Sequence, residues 1–325
     1  MTAAIETRGL TRRYRGAAAL EDVTLDIQPN VITGLLGRNG AGKTTLMSLI
    51  TAQDRPSSGS VRVNGRDPFE RAGVIEQMCF IRDNQRYPDD YRLRHAMRAA
   101  AICFPNWSSE TAERLAELFR IPAKTEVKKF SRGQLSALGI VLGLASRAPI
   151  TFFDEPYLGL DATARTVFYD ELLRDYAEQP RTVILSTHLI DEMDRLLERV
   201  VILERGRVVT HAEVEDLRGA AFQLAGRATA VEDFVRGREV LTRRSIGGLA
   251  TAVVAGRLGE EDRASAAAQG LELSHVSLQE LVAAYGLGEP SGAGKAATPN
   301  GEGPAAAAEP EATAPASAPT ARSAS

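Results

Sequence analysis

Val31-Ile-Thr-Gly-Leu-Leu-Gly-Arg-Asn-Gly-Ala-Gly-Lys-Thr-Thr-Leu-Met-Ser-Leu-Ile50 is the stretch that decides the fold. It reads as an apolar strand, a glycine-rich turn from Gly37 to Gly42, and an amphipathic helix. Such a turn lets the backbone curl so that successive N–H groups point at one phosphate, and the helix behind it adds its positive N-terminal end. Gly37, Arg38, Asn39, Gly40, Ala41, Gly42, Lys43, Thr44 and Thr45 are therefore the candidate nucleotide cradle. Lys43 is placed to pair with the β- and γ-phosphates, and Thr44 to offer its hydroxyl to Mg²⁺. A second glycine-lysine run, Gly292-Ala-Gly-Lys295, has no strand before it and Ala296 where a hydroxyl is needed, so it is excluded.

A second strand, Ile150-Thr-Phe-Phe-Asp154, ends in the adjacent acids Asp154 and Glu155 followed by Pro156. Adjacent strand positions point to opposite sides, so the two carboxylates are expected to do different work. Asp154 would hold Mg²⁺ through its water shell, and Glu155 would orient or deprotonate an attacking water.

Composition sets the limits within which these motifs operate. The chain has 325 residues, 44% hydrophobic and 25% charged, enough for a substantial core and about two domains. Its 39 basic and 42 acidic residues leave a net charge of -3, which favours neither nucleic acid nor an anionic membrane surface as a partner. Cys79 and Cys103 are too few for a disulfide framework and suit a reducing compartment. No run approaches the ~20 apolar residues of a membrane span, and the opening residues do not resemble a secretory signal. A soluble, globular, intracellular protein is the expectation.

Three parts follow from the pattern. Residues 1–218 alternate β-branched runs with amphipathic helices, as an α/β domain with a largely parallel sheet would. Residues 219–287 read as strand, helix, strand, strand, helix, strand, a small α+β sandwich of the split βαβ kind. Residues 288–325 are rich in Ala, Pro, Gly, Glu, Ser and Thr and are expected to form a disordered tail.

Several further motifs, in order, resemble those of the ABC ATPases. GRNGAGKTT is the loop form usual in that family, and Pro56 to Gly65 is similar to its strand pair after the loop helix. Phe130-Ser-Arg-Gly-Gln134 resembles the LSGGQ signature, opening a helix with Ser131 as N-cap and Leu135, Leu138 and Leu142 on its apolar face. Gly159-Leu-Asp161 resembles the D-loop, and Val183 to His188 a strand ending in the switch histidine. The resemblance spans about Ile5 to Thr210 and implies a P-loop NTPase of ABC type: a mixed sheet core, an antiparallel β subdomain, and a helical subdomain over about 88–147.

The same resemblance assigns roles. Ser131 and Gly133 would meet the γ-phosphate of ATP bound by another subunit, with Gln134 a further nucleotide-binding residue of the signature. Asp161 would belong to the same nucleotide interface, and His188 would reach the γ-phosphate and the hydrolytic water. Tyr14 would stack on adenine. The chain departs from the family pattern in two places. Arg132 stands where the signature has its second glycine. At the glutamine that senses Mg²⁺ and the membrane partner, register gives Asp83, while Gln85, two residues on, has the right side chain and is preferred for nucleotide and Mg²⁺ contact.

These readings converge on an ATPase using ATP and Mg²⁺, pairing head to tail as a homodimer or with a paralogous ATPase chain. It would bind a separate integral membrane permease on the cytoplasmic face of the membrane, in an exporter more than an importer, with no nucleic acid partner. Two alternatives are an ABC ATPase acting in translation, repair or assembly, and a regulatory nucleotide sensor. Single-cassette length without a coiled coil argues against the first, and Glu155 with His188 against the second.

Overall fold

The computed structural model describes residues 3–83, 85–187, 190–193 and 195–287; His188 and the expected tail at 288–325 lie outside the described residues. By internal contacts the chain divides into Met1–Gly288 and Glu289–Ser325.

The chain opens with β1 (Ile5–Tyr14), β2 (Ala17–Ile27) and β3 (Ile32–Leu36), then α1 (Lys43–Ile50), β4 (Ser58–Val63), α2 (Ala72–Ile75) and β5 (Met78–Arg82). A helical stretch follows: α3 (Leu93–Cys103), α4 (Ser109–Leu118) and α5 (Arg132–Ala145). The chain then alternates through β6 (Ile150–Asp154), α6 (Ala162–Glu178), β7 (Thr182–Thr187), α7 (Ile190–Met193), β8 (Arg199–Glu204), β9 (Arg207–Glu213) and α8 (Val214–Arg218). Last come β10 (Ala221–Arg227), α9 (Ala228–Val235), β11 (Val240–Ile246), β12 (Leu249–Ala255), α10 (Glu260–Ala268), β13 (Glu272–His275) and α11 (Leu278–Leu287).

Three sheets result. The central one has the order β5-β6-β7-β3-β8-β9, parallel except for β9, which runs antiparallel at the edge. Every residue of β3, β6 and β7 is buried, which is why these strands read as continuous apolar runs without alternation. An antiparallel sheet β2-β1-β4 forms the expected β subdomain. The register of the central sheet sets Leu36 beside Thr187, Asp154 beside Ser186, and Arg82 beside Asp154. The carboxyl ends of four parallel strands thus lie along one edge, where ligands of open α/β sheets bind.

Helix α5 carries the signature resemblance and sits close on this sheet. A Cβ added at Gly143 would lie 2.5 Å from Phe153, so only glycine permits the approach. Leu138, Ile140 and Val141 behind it are fully buried in the main core.

The third sheet, β11-β12-β10-β13, is wholly antiparallel and follows the order of elements expected for 219–287. Phe222, Leu224, Val231, Phe234 and Val254 close a small core on one face. Helix α11 is not part of that expectation. Its Leu278, Leu281 and Val282, with Ala221 and Val253, join the main hydrophobic core instead, so the C-terminal elements are packed onto the nucleotide fold. Among the described residues, no helix is long and apolar enough to cross a membrane.

Candidate functional site

The site grows from the carboxyl edge of the central sheet. After β3 the chain turns through Gly42, whose φ of 107° belongs to the left-handed region, and a Cβ there would press within 2.8 Å of the Ala19 carbonyl oxygen. Gly42 is the N-cap of α1 and offers no side-chain cap, so no capping side chain occupies the first-turn N–H groups.

Lys43 is 6% exposed, and its ammonium donates to the carbonyls of Gly37 at 2.7 Å and Arg38 at 3.3 Å. The same Nζ lies 3.5 Å from Glu155 Oε1. The Thr44 hydroxyl donates to Asp154 Oδ2 at 2.6 Å, and the Ser186 hydroxyl donates to Asp154 Oδ1 at 2.6 Å. Ser186 Oγ also accepts the backbone N–H of Glu155 at 2.9 Å. Glu155 has a φ of 50°, a left-handed conformation that costs a non-glycine residue about 1 kcal/mol or more. That turn separates its carboxylate from Asp154: one acid meets Thr44, the other Lys43. Tyr157, 2% exposed, donates its hydroxyl to Glu155 Oε2 at 3.1 Å and accepts from the Thr187 hydroxyl at 3.0 Å.

A cleft of about 380 Å³ opens over this array, lined by Tyr14, Ala19, Asn39, Gly40, Gly42, Lys43, Thr44, Thr45 and Glu155. The structure thus gathers most of the cradle with Tyr14 and Glu155 around one space. Tyr14 is 43% exposed, with the Arg12 guanidinium carbon 4.5 Å from its ring centroid and its hydroxyl donating to Asp54. Ala41 is buried against the loop, while Arg38 is exposed and contributes its carbonyl to Lys43.

The donor set at Asp154 and Thr44 is all oxygen, with one carboxylate and one hydroxyl converging. That suits Mg²⁺, which keeps several waters and takes few protein ligands beside phosphate. Among the described residues, no cluster of three or more His, Cys, Asp or Glu side chains could hold a metal by itself.

The signature residues lie elsewhere. Ser131 caps α5: its Oγ accepts Gln134 N–H at 3.2 Å while Gln134 Oε1 accepts Ser131 N–H at 2.9 Å, a reciprocal capping box. Gly133 lies so near the D-loop segment that an added Cβ would meet Gly159 O at 2.5 Å. Asp161 caps α6 by accepting Ala164 N–H at 2.8 Å. Ser131, Gly133, Gln134 and Asp161 do not line the cleft at Lys43. Gln85 is exposed beyond β5, and its side chain makes no hydrogen bond among the described residues with Thr44 or Asp154. Asp83 instead is engaged, with Arg132.

Ser186, Tyr157 and Thr187 are site residues that sequence reasoning did not select. Ser186 and Thr187 immediately precede His188 on a strand already recognised, and that adjacency is the one signal that could have pointed to them.

A parallel sheet with a glycine-rich loop at its carboxyl edge, a buried lysine, and a hydroxyl-linked pair of acids defines a P-loop nucleotide hydrolase. The sequence profile of the ABC transporter family matches residues 20–158. The putative ABC transporter ATP-binding protein AlbC of Bacillus subtilis is 30% identical over 226 residues, covering 65% of this chain and 93% of that protein. Nod factor export ATP-binding protein I of Cupriavidus metallidurans is 28% identical over 229 residues, covering 67% of this chain and 73% of that protein. A solved ATP-binding subunit of an ABC transporter superposes with a TM-score of 0.60 at 27% identity, covering 66% of this chain and 92% of that one. The chain belongs to the ABC transporter ATP-binding proteins and is an ATP-binding ATPase.

Proposed function

We propose that this chain is the motor of an exporter: two copies close head to tail around ATP, and that movement drives a separate membrane permease. The observation that carries the reading is the separation of parts. Lys43, Thr44 and Glu155 share one cleft, whereas Ser131 and Gly133 sit outside its lining on α5. A nucleotide in the cleft meets a signature only if a second copy supplies it, and two identical chains satisfy this twice about one axis. Export is favoured by the likeness to a Nod factor export ATP-binding protein. The chain would sit at the cytoplasmic face of the membrane, held there through the permease.

Within each site Lys43 binds the phosphates and Tyr14 offers its exposed ring to the base. Asp154 and Thr44 would hold Mg²⁺, which when bound neutralises phosphate charge. Glu155 accepts a proton from the attacking water, held in place by the Tyr157 hydroxyl at Oε2. His188 is assigned to the γ-phosphate and the same water. Residues 1–218 act as the ATPase body, with 88–147 as its helical, permease-facing part. Residues 219–287 form an accessory domain that supports dimerisation or regulation.

Mixing two disabled variants tests the pairing. Lys43→Ala disables a chain's own loop, and Ser131→Arg disables the signature it lends. Each variant alone should be inactive. Exchanged heterodimers contain one intact composite site, so partial ATPase activity should return. Activity in unmixed Ser131→Arg would overturn the reading, whereas none after demonstrated exchange would mean either that both sites must fire together or that the partner is a different ATPase chain.

A further inference from the structure

Arg132, which departs from the ABC signature, touches Asp83, the residue that register alone sets at the glutamine position. Arg132, in place of a signature glycine, donates from Nη2 to both carboxylate oxygens of Asp83, at 3.2 and 3.1 Å. Asp83 lies one residue beyond Arg82, which pairs in register with Asp154, so it stands at the same sheet edge as the catalytic acids. Arg132 is the first residue of α5, directly after the Ser131 cap. Its stem is confined on one side, because a Cβ at Gly159 would lie 2.9 Å from Arg132 Cγ. The tip is not confined: the side chain of Arg132 is 62% exposed and that of Asp83 32%. Among the described residues, Asp83 is the only ion partner of Arg132.

We infer that Arg132 is a phosphate-binding cation which Asp83 holds in reserve within one subunit. This rests on the head-to-tail reading, in which the segment around Ser131 faces the terminal phosphate of ATP bound by the other copy. An exposed ion pair is weak, so its loss opposes closure only slightly. A terminal phosphate carries more charge than a carboxylate and accepts the planar guanidinium fork in the same way. On closure the guanidinium leaves Asp83 for that phosphate, at the end of a helix whose N-terminal dipole favours the same anion. Asp83 thereby raises modestly the amount of ATP needed to close the pair. Arg132 contributes to holding the triphosphate in trans, where a glycine would offer only backbone.

This scheme makes the two partners act in opposite directions, which a purely structural clasp does not. The test uses the full-length Glu155→Gln protein, so that ATP persists, and follows ATP-dependent dimer formation by sedimentation against ATP concentration. Asp83→Asn should lower the ATP needed about two- to five-fold. Arg132→Gly should raise it about ten-fold or more, and Arg132→Lys should recover part of that loss. Asp83→Asn should have no further effect in the Arg132→Gly background. Thermal unfolding of each variant checks folding, and Arg132→Gln replaces Arg132→Gly if the latter unfolds early.

Shifts in the same direction for Asp83→Asn and Arg132→Gly would overturn the inference and leave a structural clasp. An undiminished Asp83→Asn effect without Arg132 would do the same. Absence of any ATP-dependent dimer in the Glu155→Gln parent would remove the head-to-tail reading and this inference together, a failure distinct from the other two.

Discussion

The Thr44 hydroxyl donates to Asp154 Oδ2 across 2.6 Å, joining the start of α1 to the end of β6 although 110 residues separate them. Asp154 is 5% exposed and its other oxygen is held by Ser186. The carboxylate is therefore fixed by two hydroxyls before any ligand arrives, as preorganised sites require. Each arm of this arrangement can be tested separately.

Glu155→Gln keeps the size of the side chain and its contact with Tyr157 but removes the proposed base and the charge facing Lys43. Turnover is expected to fall about 10²- to 10⁴-fold with ATP binding retained. Steady-state hydrolysis beside fluorescent-nucleotide titration measures both. Unchanged turnover would take Glu155 out of its role.

Ser186→Ala removes one hydroxyl that serves two buried groups, Asp154 Oδ1 and the Glu155 N–H. A stability loss of about 1–3 kcal/mol is expected, together with slower turnover. Urea unfolding followed by intrinsic fluorescence gives the first, and a phosphate-release assay the second. Full stability would mean that these groups find other partners.

Gly133→Ala places a methyl 2.5 Å from Gly159 O, a backbone atom that cannot simply rotate away. The α5 N-terminus and the D-loop segment must then separate. ATPase activity should drop while nucleotide binding at the Lys43 cleft stays near wild type. Equal loss of both would place Gly133 in the folding of the cleft itself.

Asp175 on α6 and Arg181 before β7 form an ion pair in which each side chain is 6% exposed. Asp175→Ala leaves a buried guanidinium without its counter-charge, and a loss of about 3–5 kcal/mol is expected. Replacing both with apolar residues of similar volume should cost far less. Denaturant midpoints at fixed pH decide between these outcomes.

Burial pushes the Cys79 thiol up to about 12 from 9.0, outweighing a hydrogen bond with Ser146 and the Arg181 charge, whereas Cys103 is exposed. At pH 8 a thiol reagent should label Cys103 quickly and Cys79 only after unfolding. Because the folded value lies above the unfolded one, Cys79 contributes stability that is complete below pH 9.0 and lost as pH rises towards about 12. Burial raises the Tyr87 phenol in the same sense. Alkaline unfolding should therefore flatten in part in Cys79→Ala. A pH-independent stability in the wild type would contradict this.

The nucleotide-binding loop and the acid pair were legible as motifs because they are local. A loop that wraps a phosphate must be built from consecutive backbone groups, so Gly37 to Thr45 announces itself in order, and an acid pair at a strand end stands out from the apolar run before it. The six elements of 219–287 were legible for the same reason: period and turn residues write strands and helices into short windows. Helix α11 was not read, since an apolar helix near a composition boundary gives no sign of what it will pack against. Its burial beside Ala221 and Val253 is a long-range fact.

What the sequence by itself determined is thus the set of nucleotide-handling motifs, the parallel α/β core and the family. Tertiary structure decided the pairings between them: Thr44 with Asp154, Lys43 with Glu155, Ser186 under both acids, and Arg132 with Asp83. Such pairings depend on which strand lies beside which. The order β5-β6-β7-β3-β8-β9 is set by burial and register across the whole sheet, which no single window of sequence contains.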